Sequence, residues 1–315
     1  MDAYSPDAYD LIGDLHGQAQ RLRTLLEQLG YRETDGAYRH PQRQALFVGD
    51  FIDRGPQQRE TVAIARAMVE AGSAQAVLGN HEFNAIAFAT EDPDAPGTHL
   101  RPRSEKNRRQ HQDFLNEVEH QPEIHADIID WFRSLPLYLE LPGLRVIHAC
   151  WDEQQLAAIR PFLNNANQLI DDGFIAASRR GHPAYAALET LIKGPEHPLP
   201  EGHRYQDKTG HWRTDVRVRW WDDTVTDLRD AALLDTAQRE QLPSAIPVPA
   251  SACPGYRDAR PLFIGHYWMD GKPAPLTPKV ACLDYSGAEP GILCAYRWQG
   301  ETQLRTEHFC WVGSE

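Results

Sequence analysis

Apolar residues in this chain recur with two spacings that alternate along its first half. Residues 9–14 form a short apolar run that predicts a strand, and Leu22, Leu25, Leu26 and Leu29 fall on one face of a helix predicted over about 18–29. Second and third strands are predicted at 45–50 and 76–80, with a helix over about 57–71 between them. A helix over about 124–135 precedes a fourth strand at 144–148, and a fifth lies far down the chain at 262–266. Each strand is apolar on both faces and closes on glycine, a polar residue or histidine. Such strands belong in the middle of a helix-covered sheet, where ligands collect beyond the carboxyl ends.

The remaining segments are less regular. Residues 90–122 turn polar and basic, with Arg101, Arg103, Lys106, Arg108 and Arg109 close together. Residues 151–260 are rich in Pro, Asp and Arg, with helical pieces expected near 152–160, 183–193 and 228–240. The C-terminus predicts three strands at 279–285, 292–298 and 303–312, separated by turns at Ser286-Gly287 and Gln299-Gly300, as in a meander. No linker demands a second domain. The expectation is one domain over 1–315, with insertions at about 90–135 and 151–260 shaping a substrate cleft.

Composition narrows the function classes. Forty-five acids against 32 Lys and Arg give a net charge of −13, which argues against tight non-specific binding of a nucleic-acid backbone. A phosphorylated substrate remains open, because divalent metals would reverse the local field. The cysteines (Cys150, Cys253, Cys282, Cys294, Cys310) are odd in number and contain no C-x-x-C, so neither a disulfide framework nor a structural zinc site is expected. No signal peptide and no membrane span are expected, which points to a cytoplasmic protein.

The strand ends carry the chemistry. In order they read Gly13-Asp14-Leu15-His16-Gly17, Gly49-Asp50-Phe51-Ile52-Asp53-Arg54-Gly55, Gly79-Asn80-His81-Glu82, Ile147-His148-Ala149 and Ile264-Gly265-His266. Mixed carboxylate, imidazole and amide ligands suit manganese, iron or zinc rather than a thiolate site. A lone histidine at a strand end is usually a satisfied polar residue, and a lone G-D-x-x-D is ordinary turn chemistry. Five strand ends that each deliver a ligand-type residue are hard to produce by turn chemistry alone. Glu82 reads either as a solvated helix-start residue or as a support behind the ligands.

Together these motifs resemble the calcineurin-like metallophosphoesterase superfamily, and within it the branch of phosphoprotein phosphatases and symmetrical bis(5′-nucleosyl)-tetraphosphatases. The resemblance implies a four-layer α/β/β/α sandwich of two mixed sheets, with a mainly helical or irregular insertion. It implies two divalent metal ions, with manganese first and iron or zinc as alternatives. Asp14 and His16 would hold the first ion, Asp50 would bridge, and Asn80, His148 and His266 would hold the second. His81, oriented by Asp53, would be the acid or electrostatic partner at the leaving group, and Arg54 would grip phosphoryl oxygens.

The chain departs from the family pattern in two places. The fourth motif reads His148-Ala149-Cys150 where the family has glycine last. The second phosphate-gripping arginine of the phosphoprotein phosphatases is assigned to Arg219, the alternative being a strand whose alternating arginines face solvent. The expected reaction is hydrolysis of phosphate monoesters, as by a Ser/Thr protein phosphatase, through a metal-bridging hydroxide. The alternative substrate is a dinucleoside polyphosphate, for which the 101–109 arginines and Trp220-Trp221 would supply cationic and aromatic contacts; the arginines read more readily as a solvated helix face or loop. A non-catalytic metal-binding scaffold is the remote alternative. Intact ligand positions count against it.

Overall fold

The computed structural model describes residues 8–206, 212–243, 245–285 and 291–313. Its main strands are β1 (Tyr9–Ile12), β2 (Gln44–Phe47), β3 (Ala74–Ala76), β4 (Tyr138–Glu140), β5 (Arg145–Ile147), β6 (Leu262–Ile264), β7 (Val280–Cys282), β8 (Asp284–Tyr285), β9 (Ile292–Trp298) and β10 (Phe309–Gly313). They make two mixed sheets. The first runs β8-β9-β1-β2-β3 with β10 on the far side of β9, and the second runs β7-β6-β5-β4. β1, β2 and β3 are mutually parallel, as are β5, β6 and β7, while β9 is antiparallel to β1 and β4 to β5.

Strand periodicity explains why these runs are apolar throughout. Successive side chains point to opposite faces. Leu11, Leu46, Val146, Phe263 and Ala281 join one apolar cluster, formed where the two sheets face each other. Their neighbours Ile12, Phe47, Ile147, Ile264 and Cys282 join the other, which holds the helices. Helices α1 (Ala19–Leu29) and α2 (Gln58–Glu70) supply Leu22, Leu25 and Met68 to that outer layer, and α7 (Glu153–Ile159) and α9 (Pro183–Lys193) supply Leu156 and Leu191. The layers follow the expected α/β/β/α order.

Between these pairs the chain adds α3 (Asn80–Ala89), α4 (Glu105–Gln110), α5 (Gln112–Val118), α6 (Pro122–Arg133) and α8 (Asp171–Ser178). Three segments differ from the sequence expectation. The predicted strand 279–285 divides at Leu283, with β7 in one sheet and β8 in the other, so this segment ties the sheets together. Residues 303–308 are loop and a 3-10 turn rather than strand, and the predicted turn at Ser286-Gly287 lies outside the described residues. The stretch expected to be helical near 228–240 is two short helices, Leu228–Ala231 and Thr236–Glu240. The first supplies Leu228 and Ala231 to a separate small cluster with Val216, Val218 and Leu242, beside a hairpin of Glu196–Pro198 with Asp215–Arg217. Among the described residues no helix is long and apolar enough to cross a membrane.

Candidate metal centre

The strand ends meet beyond the carboxyl termini of β1, β2, β5 and β6. The turns there are tight. Among the described residues six of the nine non-glycine residues with positive φ are His16, Asp50, Asp53, Arg54, His266 and Trp268, all in or beside these motifs. Left-handed backbone on ordinary residues is uncommon and gathers at functional sites. Two glycines are required by close approach. A Cβ on Gly265 would lie 2.0 Å from Asp14 Oδ1, and one on Gly79 would lie 2.3 Å from Asp50 Oδ1.

Asp50 sits at the centre of the cluster. Its Oδ2 lies 3.8 Å from His16 Nε2, 3.8 Å from His81 Nε2 and 3.4 Å from His148 Nε2. His16 Nδ1 donates to Ile52 O at 3.0 Å and His148 Nδ1 to Val48 O at 2.7 Å. Carbonyls only accept, so both rings carry the proton on Nδ1 and present Nε2 to the cleft. His266 Nδ1 lies 2.7 Å and His148 Nε2 3.0 Å from Asn80 Oδ1, and the His266 backbone N–H donates to Asp14 Oδ2 at 3.0 Å.

The fit to cations rests on what these atoms lack. Asp14 Oδ1, His16 Nε2 and His266 Nε2 are buried and have no hydrogen-bond partner. Such orphans are rare in native proteins and call for an explanation. His16, Asp50 and His81 form one group with ligand atoms within 4.8 Å of one another, and Asp50, His148 and His266 form a second that shares Asp50. The two groups share Asp50; His81 completes the first by distance, although the family resemblance gives it a different role, and Asp14 lies beside the His266 turn outside both groups. Burial and the charge of nearby Asp284 push Asp14 well up, whereas at Asp50 burial is outweighed by His148, His81 and His16, which hold it well below the carboxylate range. His266 is pushed well down by burial, then by Arg217, His148 and Lys193.

Supporting groups surround these candidate ligands. Glu82 is fully buried and accepts from the backbone N–H groups of Phe51 (2.8 Å), Asp50 (2.9 Å) and Gly79 (3.2 Å), which locks the start of α3 to the turn after β2. Of its two readings, the structure matches the support. His81 Nδ1 lies 2.6 Å from Asp53 Oδ2. The Arg54 guanidinium lies over the Trp268 ring at 3.9 Å. Asp284, which the sequence reading passed over, is 1% exposed, acts on both Asp14 and Arg54, and accepts from Trp268 N at 3.0 Å. The signal for it was a carboxylate directly after the apolar run 280–283.

The outer assignments come out unevenly. Val216 and Val218 point into the small cluster, so Arg217 lies on the opposite face, where it acts on His266 and its buried Nε has no partner. The strand ends at Arg217, and Arg219 N–H turns to Ala231 O at 2.8 Å, placing its side chain among Arg239, Asp222 and Asp230. Trp220 and Trp221 are buried. Trp220 Nε1 donates to Tyr267 Oη at 2.8 Å and Tyr267 Oη donates to Ala149 O at 3.1 Å, so the pair braces the two histidine turns from behind and offers no open ring to a base. Of the arginine cluster, Arg101 feels the charge of Asp53; it is held by Asn84, Asn107 and Gln110 (2.9 Å), while Arg108 and Arg109 pair with Glu119 and Glu105. Cys150 is a core thiol that burial pushes well up, and its N–H shares Leu191 O with that of Ala149.

Residues 9–193 match the Metallophos family, described as calcineurin-like phosphoesterase. The asymmetrical bis(5′-nucleosyl)-tetraphosphatase PrpE of Oceanobacillus iheyensis is 31% identical over 44% of this chain and 54% of its own length. The chain spans about half the length of that curated relative and about a third of the next two. The symmetrical bis(5′-nucleosyl)-tetraphosphatase of Thioalkalivibrio sulfidiphilus is 26% identical over 82% of this chain and 83% of its own. Among solved structures, a protein serine/threonine phosphatase from Saccharomyces cerevisiae with similarity to human phosphatase PP5 covers 98% of this chain, and this chain covers 80% of it, at 15% identity and a TM-score of 0.51. That likeness is one of fold.

Proposed function

We propose, from the premise that this chain belongs to the calcineurin-like phosphoesterase family, that it is a metal-dependent hydrolase of dinucleoside polyphosphates. The observation that carries the phosphoester chemistry is the gathering of His16, His148 and His266 around Asp50, with three orphaned buried atoms among Asp14, His16 and His266. Asp14, His16, Asp50, Asn80, His148 and His266 are the residues that would hold two divalent cations. Manganese suits this oxygen and imidazole set, and iron or zinc would also suit it. When bound, such a pair supplies Lewis acidity and an activated water for in-line displacement.

The chain's own groups do the rest. Arg54, with its guanidinium laid on Trp268, presents a planar fork to phosphoryl oxygens. His81 stands with Nδ1 on Asp53 and Nε2 toward the cleft, where it gives a proton to the departing oxygen. Burial works against its charged form, but Asp50 and Asp53 outweigh it and raise its pKa. Arg217 rather than Arg219 is the second cation we assign to the phosphoryl group.

The choice of a polyphosphate over a monoester, the first expectation from sequence, is supported in two ways. The symmetrical tetraphosphatase is similar along most of both chains, beyond the family core. Arg54, Arg101, Lys193 and Arg217 also flank the cluster, and several cations suit a chain of phosphates better than a single one. The test is a panel of diadenosine tetraphosphate, phosphopeptides and mononucleotides under one metal condition. Preference for diadenosine tetraphosphate by about a hundredfold in kcat/KM, about 2.7 kcal/mol, is expected. An equal preference for the phosphopeptide would return the reading to phosphomonoesters.

A further inference from the structure

Asp53 has two carboxylate oxygens, and the acid His81 uses only one. The other, Oδ1, lies 2.9 Å from Nδ1 of His111, a residue at the junction of α4 and α5 that no motif singled out. His111 is 5% exposed, and its ring sits between Phe88 (5.5 Å, edge-on) and Phe114 (5.0 Å). The same carboxylate therefore lies between two imidazoles, one on α3 and one brought from 58 residues beyond it. The Asp53 backbone is fixed as well, with φ of 69° and its N–H donating to Gln58 Oε1 at 2.6 Å.

We infer that His111 is a positioning residue: its Nδ1–H fixes the plane of the Asp53 carboxylate and thereby the direction of His81 Nε2. A carboxylate held through one oxygen can rotate about its side chain and let the imidazole swing. Held through both oxygens by N–H donors on rigid rings, it has one orientation. Truncating His111 leaves Asp53 Oδ1 buried without a partner, which favours a rotated carboxylate. The bland alternative is a core histidine whose only effect is on packing. The inference rests on the reading of His81 as the group that meets the leaving oxygen.

The experiment uses the full, metal-loaded chain and compares His111→Asn, His111→Gln, His81→Ala and the His81→Ala/His111→Gln double variant, with folding and metal content checked for each. The substrates are p-nitrophenyl phosphate and phenyl phosphate, whose leaving groups need proton donation to different degrees. Asn places an N–H donor where Nδ1 stands, and Gln does not. His111→Gln is expected to lower kcat by about tenfold or more, with KM held within about twofold and a larger loss on phenyl phosphate. His111→Asn should restore most of the rate, and His111→Gln should cost nothing further once His81 is alanine. Equal rates for the Asn and Gln variants, or the same loss with and without His81, would overturn the inference. If His81→Ala alone runs at the wild-type rate on both substrates, the reading of His81 fails instead.

Discussion

His81 Nδ1 stands 2.6 Å from Asp53 Oδ2, while Nε2 of the same ring lies 3.8 Å from Asp50 Oδ2. The imidazole is thus oriented by one carboxylate and faces the cluster around another. Burial opposes its charge, the two carboxylates outweigh burial, and the pKa rises. A raised value keeps the ring protonated to higher pH than an ordinary histidine, so a step that uses it as acid loses rate on the alkaline side. Asp53→Asn removes one of the charges that raise it. The alkaline fall in kcat should move to lower pH, and an unmoved alkaline limb in the Asp53→Asn profile would contradict this pairing.

Glu82 satisfies three backbone N–H groups that belong to two different motifs. Glu82→Ala leaves those donors buried, and the expected loss of stability is about 1–3 kcal/mol. Denaturant unfolding of the two proteins measures it. A change below about 0.5 kcal/mol, the range of ordinary surface substitutions, would show that the helix start is held by other means.

Arg217 and Arg219 are two residues apart and face different groups. Arg217→Ala should lower kcat/KM for the polyphosphate substrate by about tenfold or more, the scale of one lost charged hydrogen bond. Arg219→Ala should change it by less than about twofold. The reverse order in steady-state kinetics would restore the sequence assignment.

Much of this was legible in the sequence, for a physical reason. Side chains that meet at strand ends must follow the strand closely, so the proposed ligands Asp14, His16, Asp50, Asn80, His148 and His266 each sit within a few residues of an apolar run, and the structure brings the six side chains together. The layers were legible too, because strands buried on both faces read as continuous apolar runs. Contacts between distant segments were not. Period-2 spacing puts Arg217 and Arg219 on one face, but the strand stops at Arg217 and the backbone bond to Ala231 turns Arg219 elsewhere. The aromatic side chains Trp220 and Trp221 went to the core through Tyr267, which lies 46 or more residues away. His111 and Asp284 reach the site from a basic loop region and from a strand that changes sheets, and neither position has a periodic signature.

Gly265 matters for space rather than for dihedral freedom. A Cβ there would lie 2.0 Å from Asp14 Oδ1. Gly265→Ala should therefore push Asp14 or the His266 turn aside and lower bound metal while the chain stays folded. Metal analysis beside far-UV circular dichroism checks both, and an undiminished metal content would show that the turn can yield.

The central claim is a dinuclear centre bridged by Asp50 that the hydrolysis requires. The most direct measurement removes all metal with a chelator, returns manganese stepwise, and follows bound ions per chain together with turnover of diadenosine tetraphosphate. The expected result is no turnover in the chelated protein, full turnover as occupancy approaches two ions per chain, and an Asp50→Asn variant that recovers neither. Full turnover by the chelated protein, or by the Asp50→Asn variant without bound metal, would contradict it.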